Sequence, residues 1–213
     1  MSATDKIHDA MQFHDAAQAL IEAGRFLHGH GWVPATSGNF SVRLGSNRFA
    51  ITVSGRHKGQ LSEDDIMQVD QLGSPVATDK RPSAETLLHT ALYNRYEDVG
   101  AILHTHSMNA TLLSRRSAGE LVFEDYELLK AFEGVVTHET RIVVPVFPND
   151  QDIPRLSAQV ENYLDRHPAV HGYLIAGHGL YTWGRSMQAT LRHIEAFEFL
   201  FQCELTLQGL NKS

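Results

Sequence analysis

The sequence predicts an α/β protein built around a mixed or antiparallel sheet. Helix-like and strand-like segments alternate along the 213 residues, and several short β-rich segments follow one another in the middle of the chain. No linker, internal repeat or low-complexity stretch divides the sequence, and its 42% of hydrophobic residues is sufficient for one full core. We therefore expect residues 1–213 to form a single domain.

The first half of the chain predicts a helix, a group of strands and a second helix. Apolar residues recur at helical spacing over residues 8–28, which indicates an amphipathic helix. Segments rich in β-forming residues, separated by glycine-containing turns, predict strands at 39–44, 48–53 and 65–69. Ser83 is placed to cap a helix that runs to about Tyr96, and this helix leads into a buried strand at 100–106.

The second half alternates helices with strands. Helices are predicted at 109–114, 126–132 and 154–167, and strands at 141–147, 170–176 and 180–183. The last two strands are joined by the tight Gly177-His178-Gly179 bend. Ser186 is placed to cap a final long helix, which has apolar residues at helical spacing from Met187 to Leu200.

Composition argues against several classes of protein. A formal net charge of −7 and the lack of a basic stripe argue against a nucleic-acid partner. No segment has the roughly 18 consecutive apolar residues of a membrane span, and residues 1–13 lack the apolar core of a signal peptide. Cys203 is the only cysteine, in a pattern typical of a small core residue, which excludes an internal disulfide and fits a reducing compartment. We expect a cytoplasmic protein that does not bind membranes.

Three histidines at strand ends predict a metal site. His104 and His106 are two residues apart in a strand, so their imidazoles point to the same face. His178 ends a second apolar run, and three imidazoles leave one tetrahedral position open, as in catalytic zinc sites. An isolated pair would be read as a hydrogen-bonded core pair, and the third histidine favours a metal instead.

Two carboxylates are candidates for acid/base work. Glu85 lies near the start of the helix that leads into the strand of His104 and His106. There it would act as a ligand, as a base or as a charge that complements the helix dipole. His89 follows one turn later on the same face and is expected to be its hydrogen-bond partner. Glu127 lies in a polar stretch that, taken alone, favours a solvated helix face.

Glycine-containing turns rich in hydroxyl residues predict a phosphate pocket. Residues 36–39 and 52–55 join Ser and Thr hydroxyls to a glycine, and the helix start at Ser83 offers further backbone N–H groups. Each turn alone is also ordinary hairpin sequence. A local basic cluster at 56–58 would attract an anion despite the negative net charge. A metal beside a phosphate pocket and a carboxylate predicts proton abstraction next to a carbonyl of a sugar phosphate.

The order of these motifs resembles that of a known family. The motifs are Ser37-Gly38-Asn39, Ser54-Gly55, Ser83-Ala84-Glu85, His104-Thr105-His106 and Gly177-His178-Gly179. They resemble the class II aldolases and adducin head domains over roughly residues 16–205. The resemblance implies an αβα sandwich around a mostly antiparallel sheet, a homotetramer with sites near subunit contacts, and one zinc ion per subunit on His104, His106 and His178.

Within this family the chain is most similar to a dehydratase branch, through residues 33–41, 54–59 and 82–86. That branch implies Glu127 as the acid/base, whereas in the aldolases the acid at the Glu85 position is a base or metal ligand. The aldolases have two adjacent serines before that glutamate, and Ala84 replaces the second one here. The phosphate-binding candidates that remain are Ser37, Gly38, Asn39, Ser54, Gly55 and Ser83, with added charge from Lys58.

The reaction that the resemblance implies is zinc-dependent dehydration of 5-methylthioribulose 1-phosphate to 2,3-diketo-5-methylthiopentyl 1-phosphate, in methionine salvage. A sugar-phosphate aldolase or a ribulose-5-phosphate epimerase would use the same metal and the same proton abstraction, so both stay open. A non-catalytic adducin-like interaction module is the third alternative, and the intact histidine set argues against it. Imidazole ligands also accept iron, cobalt or nickel, so the sequence leaves the metal open.

Overall fold

The structure, a computed structural model, describes residues 3–45, 47–117, 119–167 and 169–210, with side chains from residue 11 onward. Its helices are α1 (Ala3–Gly29), α2 (Thr86–Arg95), α3 (Met108–Arg116), α4 (Ile153–Arg166) and α5 (Met187–Leu210). Its strands are β1 (Asn39–Arg43), β2 (Arg48–Thr52), β3 (Ile66–Asp70), β4 (Ala101–Thr105), β5 (Gly119–Glu124), β6 (Arg141–Phe147), β7 (Gly172–Ile175) and β8 (Gly179–Gly184). Short 3₁₀ turns span Lys58–Gln60, Glu63–Asp65 and Glu127–Ala131.

The eight strands form one sheet in the order β3-β2-β1-β4-β8-β7-β6-β5. Every neighbouring pair is antiparallel except β6 and β7, which are parallel. The predicted mostly antiparallel α/β architecture is therefore confirmed. Strand β4, which carries His104, is therefore central in the sheet, and in its register with β8 His104 lies opposite Tyr181.

Helices cover both faces of the sheet, as expected of an αβα sandwich. Successive residues of one strand belong to different cores: Leu174 packs with α1, α3 and α5, whereas Tyr173 packs with α2 and α4. Leu103 and Ile102 divide between the two cores in the same way. Since both faces are buried, the central strands have continuous apolar runs instead of alternating patterns.

Side-chain caps fix several of the helix starts. Ser107 Oγ accepts the backbone N–H of Ala110 at 2.9 Å at the start of α3, and Asp152 accepts that of Arg155 at 3.1 Å at the start of α4. Ser186 Oγ accepts the N–H of Ala189 at 3.2 Å, as predicted for the last helix. The Ser107 cap starts α3 shortly after β4, the strand that contains His104.

Four expectations differ from the structure. Strand β5 was not expected, because its exposed, glutamate-flanked sequence lacks a clear period, and it is held as an edge strand by β6. The predicted helix at 126–132 is a 3₁₀ turn. α2 begins at Thr86, later than predicted, and Ser83 Oγ accepts the N–H of Glu85 at 3.3 Å just before it instead of an N–H within α2. Cys203 is only partly buried, so it is not a core residue.

The topology brings the histidine-bearing chain ends together. Strand β4 ends just before His106, and the bend between β7 and β8 lies beside that end because β8 pairs antiparallel with β4. Among the described residues, no helix combines the length and the apolar character needed to cross a membrane.

Candidate metal centre

The three predicted histidines converge on one point. His104 Nε2 lies 2.8 Å from His106 Nε2 and 3.3 Å from His178 Nε2. Ligand atoms of all three residues lie within 4.8 Å of one another. Nitrogens bound about 2 Å from one tetrahedral ion are separated by roughly 3.3 Å, so this cluster has the dimensions of a zinc site.

Glycines beside the cluster allow neighbouring backbone segments to pack closely against β4. A Cβ on Gly179 would lie 2.0 Å from the carbonyl oxygen of Thr105, and one on Gly38 would lie 2.6 Å from that of His104. Gly177 has a φ of 64°, which turns the chain sharply at the bend. Ser114 Oγ accepts the N–H of Gly177 at 3.0 Å, so α3 holds the bend in place.

Hydrogen bonding leaves the imidazoles free to bind a cation. His104 Nδ1 lies 3.0 Å from the carbonyl oxygen of Leu180, which can only accept, so the proton is on Nδ1 and the Nε2 lone pair faces the cluster. Burial lowers the pKa of His104 well below its usual value, and it lowers the pKa of His106 to about 4. Neutral His104 and His106 rings, with the Nε2 lone pair of His104 turned to the cluster, fit a zinc-type ion.

Glu85 lies against this cluster. Its Oε1 is 3.2 Å from His178 Nε2, and its Oε2 is 3.4 Å from His104 Nε2. Oε2 also accepts hydrogen bonds from Asn39 Nδ2 and from the Tyr181 hydroxyl, each at 2.8 Å. A carboxylate in this position can complete a metal's ligand set or accept a substrate proton.

The structure corrects the expected role of His89. The expected hydrogen bond to Glu85 is not made; His89 instead contacts Asn39 Oδ1 and Ser41 Oγ. A helical spacing of four brings the two residues to one side of α2, but the side chain of Asn39 lies between them. Tyr181 was missed entirely. Its signal was a hydroxyl-bearing residue in a buried strand, two positions after the histidine bend.

The phosphate candidates lie around the same end of the sheet. The Ser54 N–H donates to the carbonyl of Arg81 at 3.1 Å, which joins the residue 54–55 turn to the segment before Ser83. Asn39 Nδ2 donates to Ser83 Oγ at 3.2 Å. Gly38 and Gly55 both have positive φ, at 77° and 75°. The structure thus groups these turns, whereas their phosphate binding stays a prediction.

Ser37 and Lys58, like Asn39, have their polar side-chain atoms engaged within the protein. The Ser37 hydroxyl donates to the carbonyl of Pro34 at 2.6 Å. Lys58 is buried, its Nζ donates to the carbonyls of Thr36 and Arg56 at 3.1 and 2.7 Å, and burial lowers its pKa to about 8. In this arrangement Lys58 fixes the turn that precedes Ser37.

Glu127 is exposed and forms its ion pairs with residues outside the cluster. Its side chain is 72% exposed and forms ion pairs with Lys130 and His138. The hydrogen bond from Lys130 holds the pKa of Glu127 below its usual value. Within the described part of the chain, no ion pair or hydrogen bond joins Glu127 to the three histidines, so its role as the acid/base stays a prediction.

Comparison with known proteins decides the family. Residues 18–205 match the model of the class II aldolase and adducin N-terminal domain. The chain belongs to this family. Curated relatives include a methylthioribulose-1-phosphate dehydratase of Methylococcus capsulatus, 60% identical over 97% of this chain and all of that protein. One of the same name from Pseudomonas syringae pv. syringae is 62% identical over 90% of this chain and 94% of that protein.

Solved structures agree with this class II aldolase assignment. The L-fuculose-1-phosphate aldolase of Thermus thermophilus superposes with a TM-score of 0.75 at 25% identity, over 96% of this chain and 99% of that one. A sugar-phosphate aldolase of Thermotoga maritima superposes with a TM-score of 0.65 at 15% identity, over 98% and 97% of the two chains. The fold expected from the motif order is therefore confirmed.

Proposed function

We propose that this protein is a metal-dependent methylthioribulose-1-phosphate dehydratase of methionine salvage. The observation that carries the proposal is the 60% identity, over 97% of the chain, to a relative of that name. The histidine cluster with its adjoining carboxylate supplies a site suited to the reaction. Residues 1–213 act as one catalytic domain, and the single free cysteine suits the reducing cytoplasm in which we place the reaction.

Zinc is the ion we assign to His104, His106 and His178, one per subunit. Three neutral imidazoles with an open fourth position are the donor set of catalytic zinc. The chemistry that zinc supplies there when bound is polarisation of the C2 carbonyl and stabilisation of negative charge on its oxygen. Glu85 Oε1 faces the same point, where it accepts a substrate hydroxyl or completes the ligand set.

The protein's own residues divide the remaining work. The turns at 37–39 and 54–55, with Ser83, hold the phosphate at one end of the substrate. Glu127 takes the proton from C3, which is acidic because it lies next to the carbonyl. The resulting carboxylic acid then returns a proton to the C4 hydroxyl, which leaves as water. The enol that remains becomes the 2,3-diketone.

Glu127 performs this step in the site of a neighbouring subunit. The proposal rests on two observations: Glu127 is exposed and, among the described residues, forms no ion pair or hydrogen bond with the three histidines of its own chain, and α5 has exposed apolar side chains that a partner copy would cover. Phe199, Leu207 and Leu210 are 53%, 47% and 64% exposed. Large exposed apolar residues in one region are typical of subunit contacts. The assembly we propose is a homotetramer.

The substrate is tested by supplying three sugar phosphates to the zinc-loaded protein. We expect diketone formation from 5-methylthioribulose 1-phosphate and no turnover of fuculose 1-phosphate or ribulose 5-phosphate. Cleavage of fuculose 1-phosphate would indicate an aldolase, and epimerisation of ribulose 5-phosphate would indicate an epimerase. Zinc bound without turnover of any of the three would contradict the proposal.

The position of Glu127 is tested by mixing two inactive variants. Glu127→Gln removes the acid/base, and His178→Asn removes a metal ligand. If Glu127 acts on a neighbouring subunit, mixed tetramers contain sites with both groups intact, and activity returns when the two variants are expressed together. If both groups act within one chain, the mixture stays inactive. Two Glu127→Gln preparations mixed in the same way are the control.

A further inference from the structure

A buried row of polar side chains leads from the interior of the sheet to Glu85. Glu85, His89 and Tyr93 lie at spacings of four along α2 and the residue before it, on one side of the helix. Asn39 and Ser41 lie at alternate positions of β1, on one face of the sheet. Ser41, His89 and Tyr93 are at most 1% exposed, and Asn39 is 5% exposed.

Each member of this row contacts the next. The Tyr93 hydroxyl lies 3.0 Å from Ser41 Oγ, and Ser41 Oγ lies 2.7 Å from His89 Nδ1. His89 Nε2 contacts Asn39 Oδ1, and Asn39 Nδ2 donates to Glu85 Oε2 at 2.8 Å. A row of four consecutive contacts among buried side chains has its hydrogen positions fixed by its ends.

The Glu85 end sets the direction. Asn39 Nδ2 donates to Glu85 Oε2 and to Ser83 Oγ, so the Asn39 amide turns its NH₂ towards Glu85 and its oxygen towards His89. His89 therefore donates from Nε2–H. Burial lowers the pKa of His89 to about 4, so the ring is neutral and Nδ1 accepts. Ser41 must then donate to His89 and accept from Tyr93, and every hydrogen in the row points towards Glu85.

This order determines how Glu85 is presented to the metal centre. Oε2 accepts from both Asn39 and Tyr181, at 2.8 Å each, and lies 3.4 Å from His104 Nε2. Oε1 is left facing His178, 3.2 Å from its Nε2. The opposite tautomer of His89 would turn its Nε2 lone pair to the Asn39 oxygen, and two acceptors would repel each other. The amide would then rotate and set its oxygen against the carboxylate.

We infer that His89 is a positioning residue, which acts through Asn39 to hold Glu85 with Oε1 presented to the metal centre. The inference rests on the proposed function in one respect, that Glu85 works at this site. It assigns His89 no contact with the substrate or the metal. It also accounts for Asn39 without phosphate binding by its side chain, since both amide hydrogens and the amide oxygen already have partners.

The first test is the tautomer of His89 in the wild-type protein, which needs no substrate. Long-range ¹H–¹⁵N correlation spectra distinguish a ring protonated at Nε2 from one protonated at Nδ1, and the spectrum of His89→Gln assigns the signal. We expect the Nε2–H form from pH 6 to 8. The Nδ1–H form would overturn the inference, whatever the protein's activity.

The second test compares two substitutions of His89. Glutamine places an N–H donor near the position of Nε2, whereas leucine fills similar space without a donor. We expect His89→Leu to lower kcat roughly 10- to 100-fold, with KM and bound zinc close to wild type. This is the usual range for outer residues that orient a ligand or catalytic group through hydrogen bonds, roughly 10- to 100-fold. We expect His89→Gln to keep most of the activity. Equal activity in the two variants would overturn the inference.

These outcomes separate the inference from the proposed function. A wild-type protein that binds zinc but does not dehydrate the methylthio sugar phosphate contradicts the proposed function, and the tautomer then decides the inference alone. A purely structural role for His89 predicts a lower melting temperature in both variants and an unchanged kcat well below that temperature. If His89→Leu does not fold, the wild-type tautomer and the His89→Gln kinetics give the decision.

Discussion

Tyr181 contacts both the carboxylate and the first histidine of the metal centre. Its hydroxyl donates to Glu85 Oε2 at 2.8 Å, and its ring stacks on His104 with centroids 3.9 Å apart. The stacking follows from the register, because Tyr181 pairs with His104 across β8 and β4. One side chain thereby orients two groups of the site.

Tyr181→Phe keeps the stacking and removes the hydrogen bond. We expect the free energy of unfolding to fall by about 1 to 3 kcal/mol, since the bond is to a charged group. We expect kcat to fall roughly tenfold, with one zinc ion still bound. The matched control is Tyr173→Phe, because the buried Tyr173 hydroxyl has no partner among the described residues. A larger loss in that control than in Tyr181→Phe would contradict the assignment.

Removal of one histidine tests the metal ligands. We expect His178→Ala to lower zinc affinity by more than roughly 100-fold, because even the residues that hydrogen-bond to metal ligands contribute about 10- to 100-fold. Chelator competition measures the affinity, and circular dichroism checks the fold. His167→Ala removes an exposed histidine whose ring contacts the Tyr163 carbonyl and ring, and it should bind zinc like wild type. Unchanged zinc affinity in His178→Ala would exclude this residue as a ligand.

Gly179 tests the close packing behind His104. Its added Cβ would lie 2.0 Å from the Thr105 carbonyl oxygen and 3.1 Å from the His104 ring. We expect Gly179→Ala to destabilise the protein by about 1 to 3 kcal/mol or more and to weaken zinc binding. Gly209→Ala is the control, since a Cβ there meets nothing within 4 Å. Urea unfolding of both variants gives the comparison, and equal stabilities would show that β8 can shift to make room.

Acid stability reports the buried state of His89. Burial lowers its pKa from 6.5 to about 4, so between these pH values the unfolded chain binds a proton that the folded protein does not. Stability supplied by the neutral ring is present above pH 6.5 and is lost as the pH falls towards 4. We expect His89→Gln to reduce the slope of unfolding free energy against pH, by up to about 1.4 kcal/mol per unit. Identical slopes for the metal-free wild-type protein and the His89→Gln variant would contradict the lowered pKa of His89.

Much of the fold could be predicted because its signals are local. The strands with continuous apolar runs and the helices with hydroxyl caps were found near their observed positions, including the helix capped by Ser186. Strand β5 could not be found in this way, because an exposed edge strand depends on its pairing with β6 and not on its own pattern.

The site was predicted in part for the same reason. The three histidines of the candidate site could be predicted because each lies at the end of a strand, which is a local signal. Their convergence follows from the pairing of β4 with β8. The partners of Glu85 come from β1 and β8, so no spacing within α2 could show that Asn39 separates Glu85 from His89. The sequence does contain two polar patterns that meet here. Asn39 and Ser41 lie at alternate positions of a strand, and Glu85, His89 and Tyr93 lie at spacings of four along a helix.

The most direct measurement is turnover of 5-methylthioribulose 1-phosphate during a zinc titration of metal-free protein. We predict that diketone formation rises in proportion to added zinc and stops rising at one ion per chain, and that His178→Ala shows no such rise. Full turnover by the metal-free protein, or saturation with zinc without any diketone, would contradict the account.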